Sequence, residues 1–406
     1  MDSLIVAAAH ALAAGDLLGA LKRVALRNDP PALALRGVAM AQLGDFDRAK
    51  FLLKSAARAF GPKEAVAQAR CIVAEAEIAL VSRDLGWPEK ELDKARATLQ
   101  KHGDTVNAAH ALNLAARRLL LLGRLDETER LLSGLNRSLL PPASRAAYEL
   151  TVAGTAIRRL NIREARGAFA QAAEAARQAD IPALTTEVGV ASSVLTTPAA
   201  RIISDGNERL ALLQDVEELF ASDILVVDGC RNMVRDRHRT ASLTARPVLF
   251  ALARALGEKW PDDASRDTLL KSAFRARQTD DSHRARLRVE IARLREELGE
   301  IAKITATESG FKLTPCNSSR VAVLAPLADE PNVAVLAFLA DGEAWSSSAL
   351  AIALETSPRT VQRALEELAS NGKVQSFGRG RMRRWTVPSV PGFPTTLLLP
   401  GPLPGS

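Results

Sequence analysis

Residues 378–384 read GRGRMRR, which crowds Arg379, Arg381, Arg383 and Arg384 around Gly378 and Gly380. Four guanidinium groups so close repel one another. A polyanion relieves that repulsion, because phosphates accept hydrogen bonds from arginine and counterions are released when the two meet. Directly upstream lies SPRTVQRALEELASNG, residues 357–372. Its Val361, Leu365 and Leu368 recur at helical spacing and predict a buried stripe. Arg359 and Arg363 are then expected on the opposite face, with Thr360 and Gln362 on the flanks and the acidic Glu366 and Glu367 later in the helix, away from the phosphates. Arginine can read guanine through two hydrogen bonds and glutamine can do the same with adenine. Ser357 is placed to cap the helix and Pro358 to occupy its first turn, where a missing N–H costs nothing. The candidate DNA-binding residues of this segment are therefore Ser357, Arg359, Thr360, Gln362, Arg363, Arg379, Arg381, Arg383 and Arg384. A solvated, flexible charged loop is the plain alternative for the arginine cluster.

A second basic helix is predicted over SHRARLRVEIARLREELG, residues 282–299. Leu287, Ile291, Leu294 and Leu298 form its buried stripe. Ala285, Val289 and Ala292 lie opposite, flanked by Arg286, Arg288 and Arg293, with Arg284 one turn earlier. Arginines on the flanks could straddle phosphate walls while the small apolar groups meet thymine methyls. An apolar outer strip could equally be a protein contact. The hairpin expected after it, ITATESGFKL, carries Thr307 and Glu308 at its tip, and an acidic tip disfavours a phosphate contact.

Little else in the chain could do chemistry. The histidines at 10, 102, 110, 238 and 283 are scattered, with no HExxH, nucleophile elbow or phosphate-cradling glycine loop. Each is read as a satisfied surface or core histidine. Cys71, Cys230 and Cys316 stand far apart, so neither a disulfide framework nor a zinc site is implied. No enzyme, cofactor or metal is expected, and a reducing cytoplasm is the expected location. The apolar opening MDSLIVAAAHALAAGDLLGAL carries Asp2 where a leader would carry positive charge, and is read as an ordinary buried helix. No membrane span is expected.

These candidates need elements to position them, and the composition points to helices. The 406 residues are rich in alanine, leucine and arginine and poor in aromatics. The net charge of +7 is unevenly spread: of the eight basic residues in 315–406, seven fall within 359–384. Upstream, LALRGVAMAQLGDFDRAKFLLKSAARAFGP places Gly37, Ala49, Ala56 and Pro62 at spacings that resemble the tetratricopeptide repeat, with LGDF as the tight turn. Gly123 answers Gly44 in a weaker echo, and in a third Asn161 stands in for the turn glycine. The resemblance implies a stack of helix pairs over residues 1–196 whose surface takes a protein partner or a second copy. A helical bundle with alanine-rich seams is the alternative.

From Thr197 short β-prone runs precede three helical segments and a hairpin. The landmarks SLTARPVLFAL, SRDTLL with Ser265 as N-cap, EIARLREELG and GFKL resemble the OmpR/PhoB-type winged-helix domain over 197–314. Where that family follows a phosphoacceptor domain, this chain has helical repeats, so control by aspartyl phosphorylation is not expected. After a connector, TPCNSSRVAVLAPLADEP, the segments NVAVLAFLADGEAW, SSSALAIALET, SPRTVQRALEELASNG, KVQSF and RRWTV resemble the winged helix-turn-helix of DeoR- and MarR-like regulators over 315–388. Residues 389–406 form a Pro/Leu-rich tail.

The fold class expected is mainly α: a tetratricopeptide-like N-terminal domain followed by two small α+β winged-helix domains. The function implied is that of a bacterial-type, sequence-specific regulator of transcription that binds double-stranded DNA as a homodimer. The alternative is a non-catalytic scaffold subunit, resembling PCI-type subunits, whose winged helices bind protein.

Overall fold

The computed structural model describes residues 2–386 apart from 14, 83, 85, 245, 275–280, 328–332, 340–344, 355, 372–373, 378–379 and 381–382. The protein is mainly helical, and all of its described strands lie from Ala200 onward. Two compact units divide the chain. One comprises Met1–Arg159, Arg163–Ser192 and Ala334–Ser406, the other Leu160–Ile162 and Ser193–Val333.

The first unit opens with α1 (Ser3–Ala13), α2 (Leu17–Val24), α3 (Pro30–Gln42), α4 (Phe46–Ala59), α5 (Ala65–Val81), α6 (Glu89–Lys101), α7 (Thr105–Leu121), α8 (Leu125–Ser133), α9 (Pro142–Arg158), α10 (Ile162–Ala179) and α11 (Pro182–Ser192). From α1 to α8 each helix packs on the next in sequence. The turn between α3 and α4 explains why they reverse so tightly. Gly44 takes the left-handed conformation, φ +83°, that ends one helix, and Asp45 accepts from the Arg48 N–H at 3.1 Å to start the next. The same Gly-Asp device recurs at Gly15-Asp16 and Gly103-Asp104, whose carboxylates accept from the Gly19 and Asn107 N–H groups. Between α9 and α10 the left-handed residue is Leu160, φ 56°, and not Asn161 as the sequence echo predicts. Close approach depends on Gly37: a Cβ there would lie 2.8 Å from Leu53 Cγ. The opening helix forms, but it buries Ala8 while Leu4 stays 51% exposed, so it is less covered than its apolar sequence predicts.

Buried polar groups tie α5 to α7. His110 Nε2 lies 3.1 Å from Glu77 Oε2, and Asp104 Oδ2 accepts from Arg70 Nε and Asn107 Nδ2, both at 2.7 Å. Burial opposes the ionised Asp104, yet these donors outweigh it and hold the carboxyl below its ordinary value.

The second unit runs β1 (Ala200–Ser204), β2 (Asn207–Ala211), α12 (Leu213–Ala221), β3 (Ile224–Asp228), β4 (Met233–Arg235), β5 (Thr240–Ser242), α13 (Pro247–Lys259), β6 (Ala264–Ser265), α14 (Arg266–Phe274), α15 (Asp281–Leu298), β7 (Ala302–Ala306), β8 (Gly310–Pro315) and β9 (Arg320–Ala325). Six strands form one sheet in the order β2-β1-β9-β3-β4-β5, and β6-β8-β7 form another. Two expectations are corrected here. The stretch TPCNSSRVAVLAPLADEP is not a mere connector, because its RVAVLA is β9, paired parallel to β3 and antiparallel to β1. The boundary expected at 314/315 accordingly falls inside β8, and β9 makes the sheet mixed. The reason is burial on both faces: Val321 and Val323 join the cluster around α13 and α15, while Ala322 and Leu324 join the one around α12. A strand covered on both sides has no alternation to betray it.

The chain ends in α16 (Val333–Leu339), α17 (Ser347–Ala353), α18 (Pro358–Ser370), β10 (Gln375–Phe377) and β11 (Arg384–Thr386). Trp345, the last residue of the segment NVAVLAFLADGEAW, lies beyond α16 and forms an antiparallel bridge with Trp385. Its N–H donates to Trp385 O at 2.8 Å, and the Trp385 N–H donates back to Trp345 O at 2.7 Å. Both indoles are almost fully buried, at 0% and 1% exposure. They belong to an apolar cluster that also takes in Leu92, Leu99 and Leu114 of the helical stack, so this segment and the stack share one core. The Pro/Leu-rich tail, 389–406, lies outside the described residues.

Candidate nucleic-acid interface

The third helix of the C-terminal segment, α18, is fixed at its start by two local choices. Ser357 Oγ accepts from the Thr360 N–H at 3.1 Å, and Pro358 stands in the first turn. Val361, Ala364, Leu365 and Leu368 are buried, which sets the rotation of the helix. Arg359, Arg363 and Glu366 are all exposed, and at 3.6 residues per turn they fall opposite the buried stripe. Neither arginine makes a hydrogen bond or ion pair among the described residues. Both are therefore available to a ligand.

Three residues expected to share this reading are engaged with the helix itself. The hydroxyls of Ser357 and Thr360 lie 2.7 Å apart within the cap. Gln362 is partly buried, and its Nε2 donates to Glu366 Oε1 at 2.7 Å. Glu366 does not sit apart from the basic face as its later position in the helix predicts. It stands on the same outward face as the two arginines, because positions 359, 363 and 366 are separated by one and two helical turns.

Beyond the helix, β10 and β11 pair antiparallel, with Gln375 opposite Thr386 and Phe377 opposite Arg384. Gly380 adopts φ +56° in the connection, and its carbonyl accepts from the Arg383 N–H at 3.1 Å. Arg383 is partly buried and stacks its guanidinium 4.2 Å from the centre of the Trp385 ring. Arg384 is partly buried, and its Nη1 donates to Arg383 O. Arg379 and Arg381 lie outside the described residues. Arg383 is thus anchored on the buried Trp385.

In the second unit, α15 buries Leu287, Ile291, Leu294 and Leu298, the stripe read from the sequence. Arg284, Arg286, Arg288 and Arg293 are exposed, as is the strip of Ala285, Val289 and Ala292. Arg286 lies 4.7 Å over the Phe274 ring, and Arg293 Nη1 donates to Glu290 Oε1 at 3.1 Å. The β7–β8 turn is pinned from behind. Asp263 Oδ2 accepts from the hydroxyls of Ser309 and Thr307, and Arg266 Nη2 donates to Thr307 O at 3.0 Å. Those two hydroxyls hold the Asp263 carboxyl below its ordinary value. Glu308 is exposed at the tip, so this turn presents an acid where the C-terminal hairpin presents bases. The Asp263 anchor has no signal in the sequence, since it lies more than forty residues from the turn it holds.

Among the described residues no group of side chains could hold a metal ion, and no helix is long and apolar enough to cross a membrane. No family model, no curated protein and no solved structure matches the chain.

Proposed function

We propose that the chain is a sequence-specific regulator of transcription that binds double-stranded DNA. The observation that carries the reading is the outward face of α18, where Arg359 and Arg363 stand exposed and unengaged among the described residues, next to an arginine-bearing hairpin. In this reading residues 334–386 are a winged helix. The helix α18 enters the major groove, and the arginines of the hairpin meet phosphates or an adjacent minor groove. The second unit, with α13, α14, α15 and the β7–β8 hairpin, is read as an OmpR/PhoB-like winged helix carrying α12 and extra strands. The helical stack is read as tetratricopeptide-like and as the surface for a protein partner or a second copy. A homodimer in the cytoplasm follows from the same reading, since two-fold sites match two-fold proteins. The function calls for no cofactor.

A protein-binding role for the second unit is favoured by one observation: Val289 on the outer face of α15 is 51% exposed, and Ala285 and Ala292 on the same face are exposed with it. The test of the main proposal is binding of the full chain to a fluorescent random-sequence duplex in dilute salt, followed by selection of the bound fragments. Saturable binding that enriches a motif is the expected result. A chain that leaves every duplex unbound in dilute buffer removes the proposal.

A further inference from the structure

We infer that Glu366 reads a base, that Gln362 positions it, and that the duplex this protein selects is built around G·C pairs. The inference rests on the DNA-binding reading of α18. Three charged groups, Arg359, Arg363 and Glu366, share the outward face of that helix with Ser370, whose hydroxyl donates to Glu367 O. A carboxylate turned toward a polyanion weakens binding unless it accepts a hydrogen bond there. In the major groove the donors are the amino groups of cytosine and adenine. Adenine pairs its donor with an acceptor, N7, which a carboxylate cannot satisfy, whereas cytosine offers the amino group by itself. Guanine, with two acceptors side by side, is the base that suits each arginine.

The contact with Gln362 decides two further points. A glutamine reads adenine only when its amide is free to donate and accept together. Here Nε2 is spent on Glu366 Oε1 at 2.7 Å, so Gln362 is withdrawn from that role. The same bond restricts the Glu366 side chain to one direction while Oε2 accepts nothing among the described residues. Gln362 is therefore a positioning residue and Glu366 the reading one. All three outward charged groups then find their complements in G·C pairs.

Selection from a random duplex library, run on the full chain and on its E366Q, E366A and Q362M variants, tests this. The wild-type motif is expected to hold guanines and at least one cytosine contacted by α18. E366Q is expected to exchange preference from cytosine toward adenine at one position, by about tenfold, with the other positions unchanged. E366A should lose preference at that position alone, and Q362M should blur it several-fold while leaving helix content by circular dichroism intact. An A·T motif overturns the inference and leaves the DNA-binding reading standing. So does a Glu366 variant that binds every duplex more tightly with no change at any position, since the carboxylate would then be only a repulsive charge. Failure of the wild-type chain to bind any duplex removes both.

Discussion

Arg359 and Arg363 are legible as a pair from the spacing of Val361, Leu365 and Leu368 alone, because a helix with a buried stripe leaves little choice about what faces outward. Replacing both with alanine is expected to remove preference at the base pairs they contact, at about 1–3 kcal/mol of discrimination for each base that goes unread, measured by competition between a selected duplex and one changed at those positions. Neutralising Arg379, Arg381, Arg383 and Arg384 should act differently. All duplexes should bind more weakly, and the slope of log K against log salt should fall by about 0.9 for each phosphate no longer neutralised. Equal loss of specificity from the two sets would contradict this division of labour. What the sequence conceals at this scale is the choice of side-chain partners: Gln362 with Glu366, Ser357 with Thr360, and Arg383 with Trp385. Rotamers are chosen by neighbours, and side chains two to four positions apart have several arrangements of similar energy. Asp104 allows a prediction of pH dependence. Burial works against its charge, but Asn107 and Arg70 hold the folded carboxyl low, so its stabilisation is complete above its ordinary value and fades as the pH falls through the folded one. Urea titrations should show a smaller difference between wild type and D104N at pH 3 than at pH 7.

Helix ends carry much of the local specification. Ser357, Ser346, Asp16, Asp45 and Asp104 all accept from a backbone N–H of the helix they begin. Removing the Asp45 cap as D45A, or the Ser357 cap as S357A, should each cost about 1 kcal/mol, read as a lowered midpoint in thermal or urea unfolding. An unchanged midpoint in both would mean that packing alone defines these ends. The Gly-Asp pairs at 15, 44 and 103 are visible in the sequence as a recurring dipeptide, and those at 15 and 103 mark turns that the repeat pattern around LGDF does not reach. Leu160 is not visible, since nothing in an isolated leucine announces a left-handed backbone. The strand β9 escapes notice for a related reason. RVAVLA has no alternation and is flanked by Pro315 and Pro326, so it reads as a linker until partners on both sides are known.

For the whole molecule, the unexpected result is where the C-terminal segment belongs. It lies in the same compact unit as the helical stack, and Trp345, Leu350, Leu365 and Trp385 share one apolar cluster with Leu92, Leu99 and Leu114. W385A should consequently lower the stability of this unit by about 3–5 kcal/mol, and the helical signal by circular dichroism should melt earlier with it. A variant whose helical signal melts at the wild-type midpoint would show that the segment is held independently. By itself the amino-acid sequence determined a mainly helical chain, the places where helices begin and turn, the buried stripes of α15 and α18, and the local density of positive charge. Each of these follows from residues a few positions apart, whose relations are fixed by helical period and by capping chemistry. Tertiary structure alone decided that β9 lies between β1 and β3, that Asp263 pins a turn more than forty residues away, and that the C-terminal segment shares its core with the helical stack. Those outcomes depend on contacts between parts of the chain far apart in sequence: the hydroxyls that Asp263 accepts from, and above all the burial of apolar surface, a force that has no preferred direction and leaves no period to read.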